Sequence, residues 1–218
     1  MLLAIDTTTR SSGIALYDAG GLRMEQLWET GNNHTAELVP YIARACEAYD
    51  LTPTDLKAVA VALGPGSFTG VRVGLSAAKG VALALDIPIL GISTLDATAY
   101  AHWRDPLPVC ALVAAGRSRW CVGFYETHKN DWHRRGDPVL ADARQLAELI
   151  QEPMLVCGEL TTELRIALNS LAGGRAILAE KAGSARRAGF LAELAWQRLE
   201  RGERDDLASL APIYLQSV

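Results

Sequence analysis

One stretch limits the fold more than any other: AVAVALGPGSFTGVRVGLSAAKGVALALD, Ala58 to Asp86. An apolar run, a glycine-rich loop and a helix-like run follow one another, the layout in which backbone amides at a helix start can hold phosphate. The apolar run, Ala58 to Leu63, is nearly continuous, as in a strand of a parallel sheet buried on both faces. From Val71 to Leu85 the polar residues are Arg72, Ser76 and Lys79, at spacings of four and three on one narrow stripe. A helix that is apolar around the rest of its circumference has to be covered on more than one side. Gly70, Gly74, Ala78 and Ala82 form a ladder of small residues every four positions, a surface that lets another helix come close. Another lobe of the same chain and a partner subunit both satisfy that requirement.

The loop itself fails the two common phosphate templates. A Walker loop, GxxxxGK[ST], started at Gly64 reaches Thr69 at its sixth position with no Lys-Ser or Lys-Thr after it. A dinucleotide fingerprint, GxGxxG, finds Gly64 and Gly66 but again Thr69 where its third glycine belongs. Ser67 and Thr69 both suit a helix cap.

The order of elements organises the chain. LLAI, GIALYD and LRMEQLWE read as three strands. HTAELVPYIARACEAYD reads as a helix, with Leu38, Ile42, Ala45 and Tyr49 at helical spacing and Pro40 predicting a kink or a later start. A strand, the glycine loop with its helix, the strand IPILGI and the helix TLDATAYAH follow. PVCALVAA and RWCVGFYE then form a hairpin around GRS, ARQLAELI a helix, PMLVCG a strand, TTELRIALNSLA a helix, RAIL a strand and AGFLAELAWQRLERG a strongly periodic helix. The order βββαβα thus appears twice, which predicts an α/β protein of two similar lobes, residues 1–104 and a smaller second lobe 105–218, joined at the proline-flanked DPLP.

Charge and cysteines narrow the class. Residues 1–106 hold 7 basic and 11 acidic side chains and the remainder 14 of each, so neither half is basic and tight binding of nucleic acid by this chain alone is not expected. MLLAIDTTTR lacks a basic leader, and no unbroken apolar run approaches the ~18 residues of a membrane span, so a cytoplasmic protein is expected. Cys46, Cys110, Cys121 and Cys157 form no CxxC pair and read as reduced core residues. His128 and His133 stand five apart in a charged stretch, without metal-ligand spacing.

The segment GPGSFTGVRVGLSAAKGVALALDIPILGISTLDA, with the opening LLAIDTTTRSSGIALYD, the stretch HTAELVP and the closing APIYLQ, resembles the TsaB (YeaZ) family, an accessory subunit in the formation of threonylcarbamoyladenosine at adenosine 37 of tRNA. The resemblance implies the actin, sugar-kinase and heat-shock ATPase (ASKHA) fold, in agreement with the two lobes. It also implies a non-catalytic role: binding and stabilising a TsaD-type catalytic subunit, joined by a TsaE-type ATPase, with tRNA met only through the complex. Self-pairing into a homodimer is implied when the partner is absent. The pairing would run through the helices near residues 35–49 and 70–85, with Leu38, Ile42, Gly70, Val71, Val73, Gly74, Leu75 and Ala78 at the interface. On this reading Gly74→Arg abolishes pairing and leaves the monomer's secondary structure intact.

The resemblance also lets the chemistry be checked. Where the catalytic relative carries two metal-binding histidines after the IP strand, this chain has Thr94 and Thr98, so no catalytic metal is expected. The two hairpins that hold phosphate in this fold are DTTTRSSG and AAGRSR. The first keeps Asp6 but has Thr7 and Thr8 in place of a tight glycine; the second offers Gly116 and Arg117 and no carboxylate. After PMLVCG, Gly158 is followed by Glu159 where a second glycine would ease the approach of a nucleotide. Asp6, Thr7, Thr8, Gly116, Arg117 and Gly158 therefore read as a degenerate nucleotide site, with no cofactor, and Asp6 equally suits capping of its own turn. The alternative kept open is an ATP-binding or ATP-hydrolysing enzyme of the same fold.

Overall fold

A computed structural model describes residues 1–30, 34–129 and 131–215. The chain divides into two compact units, one of Met1–Ala97 with Arg187–Ile213, the other of Thr98–Arg186 with the described residues from Tyr214 on.

In the first unit, β1 (Leu2–Asp6) pairs antiparallel with β2 (Ser11–Asp18), which pairs with β3 (Gly21–Glu29). On its other side β1 runs parallel to β4 (Ala58–Ala62), which runs parallel to β5 (Ile89–Ile92), giving the order β3-β2-β1-β4-β5. Alternate side chains of a strand point to opposite faces, and here size alternates with face. Leu3, Ile5, Val59 and Val61 point to one side, where α1 (His34–Ala48) and α2 (Phe68–Leu85) contribute Leu38, Ala45, Leu75, Ala78 and Ala82. Leu2, Ala4, Ala58 and Ala60 point to the other, where α6 (Ala188–Glu200) lays down Leu191, Ala192 and Ala195. Small residues on both surfaces let that helix lie close to the strands. α1 runs through Pro40 instead of starting after it.

In the second unit β6 (Val109–Gly116) pairs antiparallel with β7 (Arg119–His128), and β7 with β8 (Asp131–Ala141). β9 (Met154–Gly158) lies parallel to β6, and β10 (Ala176–Leu178) parallel to β9. The order β8-β7-β6-β9-β10 repeats that of the first unit strand for strand. This duplicated α/β topology is that of the actin, sugar-kinase and heat-shock ATPase fold. α4 (Ala143–Leu149) and α5 (Thr162–Leu171) cover one face with Leu146, Leu164 and Leu168 against Cys110, Leu112, Val122 and Val156. Elsewhere in this unit Trp132 stacks on Tyr125 at 5.1 Å and meets Tyr100 edge-on at 5.3 Å. The Trp-bearing stretch around residues 131–135 is therefore anchored by aromatic packing; Asn130 lies outside the described residues.

The division differs from the expected boundary between residues 104 and 105. α3 (Thr94–Tyr100) carries the chain from one unit into the other, and α6, last in sequence order, belongs to the first unit. The reason is packing: periodicity shows that α6 has an apolar face, and the surface that fits its alanines is the small-residue side of β1 and β4.

The segment after α6 is tied down by charge. Asp205 accepts from the Gly91 amide at 2.6 Å and from Arg198 at 2.8 and 3.2 Å, while Arg198 also donates to the Gly91 carbonyl at 2.9 Å. Burial alone would raise the Asp205 pKa; the Arg198 hydrogen bonds, the Gly91 amide and the Arg198 charge outweigh it and hold the carboxyl below its usual range. A carboxylate depressed by folding stabilises above its unfolded pKa of about 3.9, and that contribution disappears as pH falls through the lower folded value. Asp205→Asn is accordingly expected to be less stable than the parent in urea unfolding at pH 7, with the gap narrowing by pH 3. A gap of equal size at both pH values would show that the charge is not what matters.

Candidate docking surface on the first unit

The glycines of the Gly64–Gly74 segment have a partner, and it is the unit's own first turn. Thr8 folds back on Asp6, whose Oδ1 accepts from the Thr8 amide at 2.9 Å and from its hydroxyl at 2.6 Å. The Thr7 hydroxyl donates to the Gly70 carbonyl at 2.6 Å, and the Ser67 amide donates to the Thr8 carbonyl at 2.6 Å. A Cβ at Gly66 would sit 2.2 Å from the Thr8 carbonyl oxygen, one at Gly70 2.0 Å from the Thr7 carbonyl oxygen, and one at Gly74 2.4 Å from the Thr7 hydroxyl. Such separations are well inside van der Waals contact. The glycines are required so that the DTTT turn can lie against the start of α2. Ser67 caps that helix by accepting from the Gly70 amide at 3.2 Å, and Asp86 closes it in the left-handed conformation.

This corrects the interface expected from sequence. Gly70, Val71, Gly74, Leu75 and Ala78 form the inward arc of α2, and Leu38 lies beside them in the same core at 1% exposure. The small-residue ladder receives the unit's own backbone turn, so Gly74→Arg is a test of folding and cannot be a clean test of pairing. Of the eight residues, Ile42 and Val73 are half-buried and reach the surface.

The outward arc of α2 comprises Phe68, Thr69, Arg72, Ser76, Gly80, Leu83 and Ala84, with Val73 and Ala77 at its margin. Leu83 is 73% exposed, Phe68 55% and, on α1, Val39 61%. Leu38, Val39, Phe68, Thr69, Arg72, Val73, Ser76 and Ala77 line a groove of about 590 Å³ between the two helices. The Arg72 guanidinium lies over the Phe68 ring at 3.7 Å, which partly covers both. α2 is also 18 residues long and apolar enough to pass for a membrane span by length and composition alone, as the core helix of a globular unit can. It carries Arg72 and Lys79, and its inward arc is packed on a sheet. The helix and its excess of apolar surface are legible in the sequence, but the arc expected at the interface is the buried one. The polar stripe of Arg72 and Ser76 was the available signal for the exposed side, and Val39, Phe68 and Leu83 lie near it.

The residues read as a degenerate nucleotide site are divided between the units. Asp6, Thr7 and Thr8 form the turn just described, and Asp6 is 3% exposed, caught in bonds to Thr8. In the second unit Gly116 and Arg117 form the tip of the β6–β7 hairpin, both at positive φ, 75° and 51°. Gly158 has φ +95°, and a Cβ there would lie 2.2 Å from the Leu112 carbonyl oxygen, so contact between β6 and β9 accounts for this glycine. Thr94 and Thr98 are buried. His102 is within hydrogen-bond distance of the Gly183 carbonyl and His133 of Glu126. Among the described residues no group of three or more His, Cys, Asp or Glu side chains stands close enough to hold a metal ion.

Residues 28–205 match the family model described as TsaD: tRNA N6-adenosine threonylcarbamoyltransferase. A Bacillus subtilis protein named tRNA threonylcarbamoyladenosine biosynthesis protein TsaB is 30% identical over 219 residues, covering 99% of this chain and 93% of the relative. The chain belongs to the TsaB (YeaZ) family. The Escherichia coli protein of the same name is 37% identical over 135 residues, 61% of this chain and 58% of the relative. A solved structure titled YeaZ from Pseudomonas aeruginosa superposes with a TM-score of 0.82 at 24% identity, covering 98% of this chain and 99% of that one, a likeness of fold. The family opening is the turn that Gly66, Gly70 and Gly74 accommodate; of the closing APIYLQ, Gln216 lies outside the described residues.

Proposed function

We propose that this chain acts in tRNA threonylcarbamoyladenosine biosynthesis as a cytoplasmic, non-catalytic subunit that docks a TsaD-type catalytic subunit on the α1–α2 face. The observation that carries this reading is the outward arc of α2 beside the α1 groove, where Leu83, Val39 and Phe68 are each more than half exposed. Large apolar side chains left exposed along a groove are a common feature of interaction sites. The match of this chain, over a range that holds α1 and α2, to a family model described for the transferase supports the choice of partner, because a subunit of the same fold would carry equivalent helices. Two equivalent helix pairs can meet around a two-fold axis, which also allows the chain to pair with itself when the partner is absent. A TsaE-type ATPase then joins the assembled pair, and tRNA is met by the complex.

The test mixes the purified chain with a TsaD-type subunit in sedimentation velocity and titrates the chain alone with ATP and Mg²⁺ in a calorimeter. A one-to-one complex with no turnover of ATP by the isolated chain is expected. Tight ATP binding with hydrolysis that Asp6→Ala abolishes would establish the enzyme reading instead. Flotation of the chain with anionic vesicles and no complex with the protein would assign the apolar face to a membrane surface.

A further inference from the structure

A carboxylate in the second unit sits where the local geometry would otherwise bind an anion. The ladder between β6 and β9 ends at the pair Leu112 and Gly158. Beyond it the chain turns away at Gly158, so the next β6 amide on that side, Ala114, has no strand opposite it. Glu159 fills the place: its Oε2 accepts from the Ala114 amide at 2.6 Å. Its other oxygen lies 3.9 Å from Arg186, whose side chain is only 8% exposed. The Glu159 backbone is fixed at two further points. Its amide donates to the Leu112 carbonyl at 3.0 Å, and its carbonyl accepts from the Trp120 indole at 3.1 Å. A backbone amide at an open ladder end beside a largely buried guanidinium is an oxyanion-binding arrangement, and bonds to a charged acceptor are the stronger kind.

We propose that the Glu159 carboxylate is a resident anion in a seat built from the Ala114 amide and the Arg186 guanidinium, and that a small oxyanion of the phosphate class enters this seat when the carboxylate is removed. In the native chain this one seat, at the Ala114 amide of β6, is thus filled by the chain's own carboxylate. The inference stands apart from the docking reading, since every group involved belongs to the second unit.

The experiment compares the parent, Glu159→Ala and Glu159→Gln in thermal melts, with sodium phosphate replacing sodium chloride at constant ionic strength. Glu159→Ala opens the seat; Glu159→Gln fills it with a neutral group. For a Kd near 10 mM, 0.1 M phosphate is expected to raise the melting temperature of the alanine variant by about 3–6 °C more than that of the parent. The glutamine variant is expected to follow the parent. Equal shifts in all three, or a shift in the glutamine variant matching that in the alanine variant, would overturn the proposal and leave Glu159 as a substitute strand partner only. Glu159→Ser is made alongside in case alanine does not fold. Should neither fold in chloride, recovery in phosphate that leaves the glutamine variant's melting temperature no higher than the parent's supports the seat, and continued failure or an equal rise in the glutamine variant refutes it.

Discussion

Gly70→Ala is expected to unfold the first unit, or to leave it at least about 3 kcal/mol less stable. The added methyl would begin 2.0 Å from the Thr7 carbonyl oxygen, a main-chain atom that has no rotamer to change. Thr7 cannot retreat without cost, because it follows β1 directly and its hydroxyl holds the Gly70 carbonyl at 2.6 Å. Relief therefore means displacing the DTTT turn or lifting the first turn of α2 off the sheet, and either breaks the bonds from Ser67 to Thr8 and from Thr7 to Gly70. Gly80 on the same helix is the control, since a Cβ there meets nothing within 4 Å. Gly80→Ala should stabilise the protein by about 0.5–1 kcal/mol through helix propensity alone. Urea unfolding followed by circular dichroism measures both. A Gly70→Ala protein as stable as the parent would mean that the turn is not pinned as described.

Val39→Asp combined with Leu83→Asp is expected to separate docking from folding. Both side chains are mostly exposed, 61% and 73%, so the variant should melt within about 0.5 kcal/mol of the parent. At a docked interface each would place an unpaired carboxylate against apolar surface. Two such anchors are expected to weaken the complex with a TsaD-type subunit about 100-fold or more, roughly 2.7 kcal/mol at 1.4 kcal/mol per tenfold. Sedimentation velocity across a concentration series reads this directly. Undiminished association by a folded double variant would remove α1 and α2 from the interface. The pair is the reciprocal of the glycine experiment, one changing the inward arc of α2 and the other its outward arc.

The contrast between the arcs shows what could be read from the sequence. The continuous apolar runs LLAI and AVAVAL, the glycine loop and the repeated element order carried the two-sheet α/β architecture, because these are local signals of burial and turn chemistry. The phase of α2 was also legible, since Arg72 and Ser76 lie on the outward arc. The identity of its neighbour was not. A row of Gly and Ala every four residues is compatible with any close approach, and here the visitor is a turn some sixty residues earlier in the chain. The destination of α6 was hidden for the same reason: amphipathic period states that a face must be buried, and only the complementary small residues of β1 and β4 state where. Glu159 is legible as the residue that stands where a glycine is expected, while its bond to the Ala114 amide depends on strand register and its ion pair with Arg186 on tertiary packing.

The late arrival of α6 has a consequence for synthesis. Leu2, Ala4, Ala58 and Ala60 are translated with one side of their sheet bare, and the cover for it, Leu191, Ala192 and Ala195, follows more than a hundred residues later. The unit encoded first must therefore close only after residues 98–186, the main part of the second unit, are translated. During that interval the nascent protein displays a smooth alanine-lined surface of parallel strands, the kind of exposed sheet that favours capture by holding chaperones.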